Sequence, residues 1–207
     1  MSSHGQILSK KSTIRFLALG DSYTIGESVS ESQSWPVQLA TALSALGYRV
    51  ETPDVVAVTG WRTDDLRKGL LARNMSTNYA LVSLLVGVNN QFQGRSISEY
   101  EREFEQLLEM AVSYAGGDKR RVIVLSIPDY GFTPFGRDKQ KKISEMINAF
   151  NDVNRRVTKS REITYIDITD ISRRGLVESG LTAEDGLHPS GNMYKLWVEK
   201  ILTHLNP

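Results

Sequence analysis

The feature that most constrains this chain is an alternation along its length. Short apolar runs recur at 14–19, 55–58, 79–86, 121–127 and 163–168. The first is too short for a helix of its own and reads as a buried strand; 55–58, alone or with 48–50 before Pro53, reads as the second, and the other runs read as strands three to five. Between them, apolar residues fall at helical spacing over 34–47, 63–71, 98–114, 137–160 and 191–205. Strand–helix alternation of this kind specifies an α/β fold: a parallel sheet, helices on both faces, right-handed crossovers. Local signals sharpen the helices. Ser34 and Pro36 suit a helix start, Ser98 and Glu101 have capping-box spacing, and Trp35 and Trp197 fall on apolar stripes that predict core positions.

At 207 residues, the chain fits one domain, read here as 13–207 behind a loose polar tail, 1–12. Its 25 basic and 24 acidic side chains leave a net charge of +1, which gives no electrostatic case for nucleic acid or an anionic membrane. With no cysteine, thiol catalysis, disulfides and thiolate metal sites are excluded. No apolar stretch has the length of a membrane span. The polar N-terminus lacks the apolar segment of a signal peptide, so a cytoplasmic location is expected, although export from a longer precursor is compatible with it. Oligomeric state is left open.

In a parallel sheet, all loops that follow strands share one edge, where open α/β sheets place their ligands. The loop after the first strand is Gly20-Asp21-Ser22-Tyr23. Gly20 turns the chain, and Asp21 and Ser22 suit a helix start with outward-facing amides. Ser22 therefore reads either as a helix cap or as a nucleophile beside part of an oxyanion hole. Gly60, after the second strand, is a turn glycine or a backbone donor to a substrate oxygen. Asn89, after the third, is an Asx-turn residue or a side-chain donor to that oxygen.

The loop after the fifth strand carries Asp185-Gly186-Leu187-His188. It reads as a base with its orienting carboxylate, as a metal pair, or as a cap before Gly191. With three histidines and no cysteine, a metal site is short of ligands. His4 lies in the tail and His204 in the last turn of the final helix, so His188 is the histidine placed to act as base. Candidate substrate contacts are Asp21 and Tyr23 beside Ser22, and the loop aromatics Trp61, Phe92, Tyr130 and Phe132. Arg62 and Arg95 read as solvated loop arginines or as contacts to an anionic head group.

The blocks Gly20-Asp-Ser-Tyr, Gly60, Gly87-Val-Asn89-Asn and Asp185-Gly-Leu-His188, in this order, resemble the SGNH subgroup of the GDSL esterase/lipase family. The resemblance spans most of the chain. Tyr23 stands where the family name has Leu, and Asn90 where many members have Asp. The resemblance implies a three-layer α/β/α sandwich with a flavodoxin-like, five-stranded parallel sheet. It implies hydrolysis of carboxylic esters such as lysophospholipid, short acyl or acetylated carbohydrate esters. Ser22 would be the nucleophile, His188 the base and Asp185 its orienter, and Ser22, Gly60 and Asn89 would form the oxyanion hole. No metal or organic cofactor is implied, and the partner is a small-molecule ester.

Two other readings are a flavodoxin-like nucleotide or flavin module and a non-catalytic ester or glycan binder. The first lacks both Gly-x-Gly-x-x-Gly and a Gly-Lys-Ser/Thr motif after the first strand. The second gives no reason for Asp185 and His188 together.

Overall fold

The structure, a computed structural model, describes residues 8–205. Five strands form one parallel sheet: β1 (Phe16–Gly20), β2 (Asp54–Ala57), β3 (Leu81–Leu85), β4 (Val122–Leu125) and β5 (Thr164–Ile166). Their spatial order is β2-β1-β3-β4-β5. The helices are α1 (Ser22–Ile25), α2 (Trp35–Ala45), α3 (Thr63–Leu71), α4 (Val88–Phe92), α5 (Ile97–Tyr114), α6 (Gln140–Ser160), α7 (Thr169–Ser172) and α8 (Gly191–Leu205).

Helices cover both faces of the sheet. α2 packs against α8, while α5 packs against α3 and α6. Every residue of β1, β3 and β4 is buried, whereas the edge strands β2 and β5 are partly open. That difference explains the continuous apolar runs of the central strands. Trp35 and Trp197 are fully buried, and the Trp35 ring meets Phe16 at 5.9 Å.

Register fixes the functional edge. Gly20 pairs with Ala57 of β2 and with Leu85 of β3, so three strands end at one level. Gly20 is required there by close approach: a Cβ would lie 2.1 Å from Thr24 Oγ1 and 2.5 Å from the Leu85 carbonyl oxygen.

Several local expectations shift. Ser34 stands at the α2 N-cap, but its hydroxyl donates to the Glu31 carbonyl (2.8 Å) instead of accepting from the helix. The cap of α5 is Ser96, which accepts from the Glu99 amide, two residues before the Ser98–Glu101 pair that the spacing suggested. Of the tail expected over 1–12, residues 1–7, with His4, lie outside the described residues. Leu8 does not belong to a loose tail: it is 2% exposed and joins the core, and the Lys10 ammonium sits over the Tyr48 ring. No described helix is long and apolar enough to cross a membrane.

Candidate active site

The sharp turn out of β1 is held by Asp21, whose carboxylate accepts from the Tyr23 amide (3.1 Å) as the N-cap of α1. Ser22 is the first residue of that helix, so its amide has no acceptor within the helix. Its hydroxyl lies 3.0 Å from His188 Nε2. On the other side of the ring, Nδ1–H donates to Asp185 Oδ2 at 2.6 Å.

The loop that presents these two groups is pinched closed. Thr182 and Pro189 form an antiparallel bridge, and the Ala183 amide donates to the His188 carbonyl (2.8 Å). Gly186 turns with φ +71°, a left-handed conformation that side chains resist. That turn lets Asp185 Oδ1 accept from both the Leu187 and the His188 amides, each at 2.9 Å. Asp185 Oδ2 also accepts from the Ser28 hydroxyl (2.7 Å). Burial alone would push the Asp185 carboxyl up, but these donors, the His188 ring foremost, hold it well below the usual carboxylate range. Asp185 is therefore ionised when the ring needs a carboxylate.

Asp21 behaves in the opposite way. Full burial pushes its carboxyl up to about 7, against amide hydrogen bonds of which the Tyr23 amide gives the largest. Asp21 was expected among the substrate contacts. It is instead wholly enclosed beneath the turn, and no surface of it reaches the cleft.

Ser22, Gly60, Asn89 and His188 line one apolar cleft of about 160 Å³. Asn89 lies on α4, not in the loop that the Asn-Asn pair suggested. It donates one amide hydrogen to the Trp61 carbonyl (2.9 Å), which fixes its orientation and leaves a second hydrogen on that nitrogen. Asn90, by contrast, is fully buried and grips Thr63, accepting from its amide (3.1 Å) and donating to its hydroxyl (2.6 Å). It thus anchors the segment that carries Gly60.

Of the expected wall residues, Tyr23, Phe92 and Tyr130 line the cleft. Tyr23 meets the His188 ring edge-on at 5.7 Å. Trp61 and Phe132 do not line it. The Trp61 ring lies over Gly69 of α3, where a Cβ would come within 2.4 Å of it, and Phe132 faces the Arg173 guanidinium. Phe135, absent from the expected wall, takes the place, packing with Phe92 (6.3 Å) and Tyr130 (6.4 Å). Its amide donates to the Gly186 carbonyl, tying the loop after β4 to the loop of His188. Arg62 is held by Asp64, Asp65 and Gln93, and Arg95 by Glu99. Among the described residues, no group of three or more His, Asp and Glu is arranged to hold a metal.

A hydroxyl, an imidazole and a carboxylate joined in series beside a cleft are what serine hydrolase chemistry requires. The model of the GDSL-like Lipase/Acylhydrolase family matches residues 18–196, and the chain belongs to that family of ester hydrolases. A search of curated proteins finds no match to the sequence. Among solved structures, the chain is similar to an acetyl xylan esterase, AlAXEase (17% identity, 92% of this chain and 98% of that one, TM-score 0.74). It is similar to TesA (20% identity, 95% and 99%, TM-score 0.72). It is also similar to the lipase/acylhydrolase from Enterococcus faecalis (20% identity, 93% and 95%, TM-score 0.67). At these identities the likeness is one of fold.

Proposed function

We propose that the protein hydrolyses neutral carboxylic esters with a short acyl group through an acyl-enzyme on Ser22. The observation that carries this reading is the hydrogen-bonded series Ser22–His188–Asp185, at 3.0 and 2.6 Å, opening on an apolar cleft. His188 Nε2 takes the hydroxyl proton as Ser22 Oγ bonds to the ester carbonyl carbon. The tetrahedral oxyanion is received by the Ser22 and Gly60 amides and the Asn89 side chain. The C–O bond to the alcohol then breaks, and His188 returns its proton to the leaving oxygen. Water, deprotonated by the same nitrogen, attacks the acyl-enzyme and releases the acid. Asp185 keeps the ring in the tautomer with its proton on Nδ1.

The preference for neutral substrates follows from the lining. Apart from His188, no acidic or basic side chain lines the cleft, and the nearby Arg62 and Arg95 are paired with carboxylates. A phosphate head group finds no unpaired guanidinium at these two positions, which disfavours lysophospholipids, and a cleft of about 160 Å³ suits a short acyl group. The acetyl xylan esterase named among the similar structures supports trying acetylated xylose first.

The test is a panel of p-nitrophenyl esters of increasing chain length, with acetylated xylose and lysophosphatidylcholine, run on the wild type and on Ser22→Ala. Acetyl and butyryl esters should turn over fastest, and Ser22→Ala should lose about 10⁴-fold or more in kcat. Near-normal hydrolysis of p-nitrophenyl acetate by Ser22→Ala would remove the nucleophile assignment. A preference for lysophosphatidylcholine would overturn the substrate class.

A further inference from the structure

Asp185 is not buried in the way that usually fixes a carboxylate. Its side chain is 31% exposed. Its orientation therefore depends on hydrogen bonds. Three of the donors belong to its own loop: the Leu187 and His188 amides on Oδ1 and the His188 ring on Oδ2. The fourth is the Ser28 hydroxyl, 157 residues away in the chain and 2.7 Å from the same oxygen that receives the ring.

Ser28 reaches that oxygen from an unfavourable backbone. Its φ is +66°, one of two positive-φ residues other than glycine among the described residues. A side chain disfavours that conformation, and such strain persists only where the surroundings impose it. The surroundings are visible. The Gly26 and Glu27 amides both donate to the Ser22 carbonyl, and the Glu27 carboxylate accepts from the Thr59 hydroxyl beside Gly60. The turn bearing Ser28 thus stands on the helix that bears Ser22 and is clamped to the segment that bears Gly60.

We propose that Ser28 is a positioning residue: its hydroxyl holds the Asp185 carboxylate in line with the His188 ring and ties the Ser22 turn to the His188 loop. This rests on the reading of Ser22, His188 and Asp185 as the reacting series. Ser28 touches neither substrate nor the attacking oxygen. A residue acting in this way lowers kcat when it is lost and leaves KM alone, because the cleft wall is untouched.

Glycine separates the hydroxyl from the turn. Ser28→Gly takes φ near +66° without strain, so a residue needed only for the turn would be replaced at no cost in rate. With p-nitrophenyl acetate, Ser28→Gly should stay folded, keep its KM and lose about tenfold in kcat. Ser28→Asn, which tolerates left-handed backbone and carries N–H donors, should recover part of that loss. The downfield proton resonance of His188 Nδ1–H should move in Ser28→Gly and return toward its wild-type position in Ser28→Asn. A folded Ser28→Gly with wild-type kcat and an unmoved resonance would overturn the proposal, provided that Ser22→Ala is inactive. Should Ser22→Ala itself turn over, the fault lies in the underlying series and not in Ser28.

Discussion

At the scale of single residues, the site holds two carboxylates of opposite behaviour. Asp185 is held ionised by donors, whereas Asp21 is driven toward its neutral form by burial. The consequence for stability has a definite sign. An unfolded Asp21 releases its proton near the ordinary value of 3.8, while the folded one keeps it up to about 7. Between those values the folded state binds more protons, so the contribution of Asp21 falls as pH rises across that window. Asp21→Asn keeps the cap on the Tyr23 amide without the buried charge. It should therefore raise Tm relative to wild type at pH 8, by an amount equivalent to roughly 1–4 kcal/mol, and by much less at pH 5. Equal shifts in thermal melts at the two pH values would show that Asp21 is not the group responsible. Residue identity in the sequence pointed to Ser22 because it follows the first strand, and to His188 with Asp185 because the other two histidines lie in the tail and the last helix. It carried no sign of Ser28, whose role depends on a left-handed backbone and on a partner far away in the chain.

At the scale of elements, the site depends on how abruptly β1 gives way to α1. The Gly20 backbone lies against the Leu85 carbonyl of the neighbouring strand, and a backbone oxygen cannot step aside. Gly20→Ala should therefore destabilise the protein by about 1–3 kcal/mol, as overpacking does, read as a lower urea midpoint with an unchanged slope. A midpoint equal to that of the wild type would mean that the junction has slack. The central strands were legible because burial on both faces leaves a continuous apolar signature. The aromatic wall was not. Phe132 and Phe135 occur in the same Pro- and Gly-rich loop, where no periodicity tells which ring turns inward. The choice is made by a tertiary bond, from the Phe135 amide to Gly186. Trp61 likewise turns away because Gly69 on α3 leaves a slot for its ring, a fact about another element.

At the scale of the whole molecule, α8 closes the layer that backs Ser22. Trp197 is fully buried, meets Tyr23 at 6.4 Å, and Tyr23 in turn meets His188. Trp197→Ala should cost about 3–5 kcal/mol in unfolding free energy by urea titration. A cost below about 1 kcal/mol would mean that the layer repacks around the gap. The layered architecture was legible from alternation alone, since only a parallel sheet accommodates it. The order β2-β1-β3-β4-β5 places the first strand inside the sheet, between β2 and β3, yet the imidazole that meets Ser22 arrives 166 residues later. On the proposed reading, ester cleavage therefore waits until the loop of His188 has docked against the turn of Ser22.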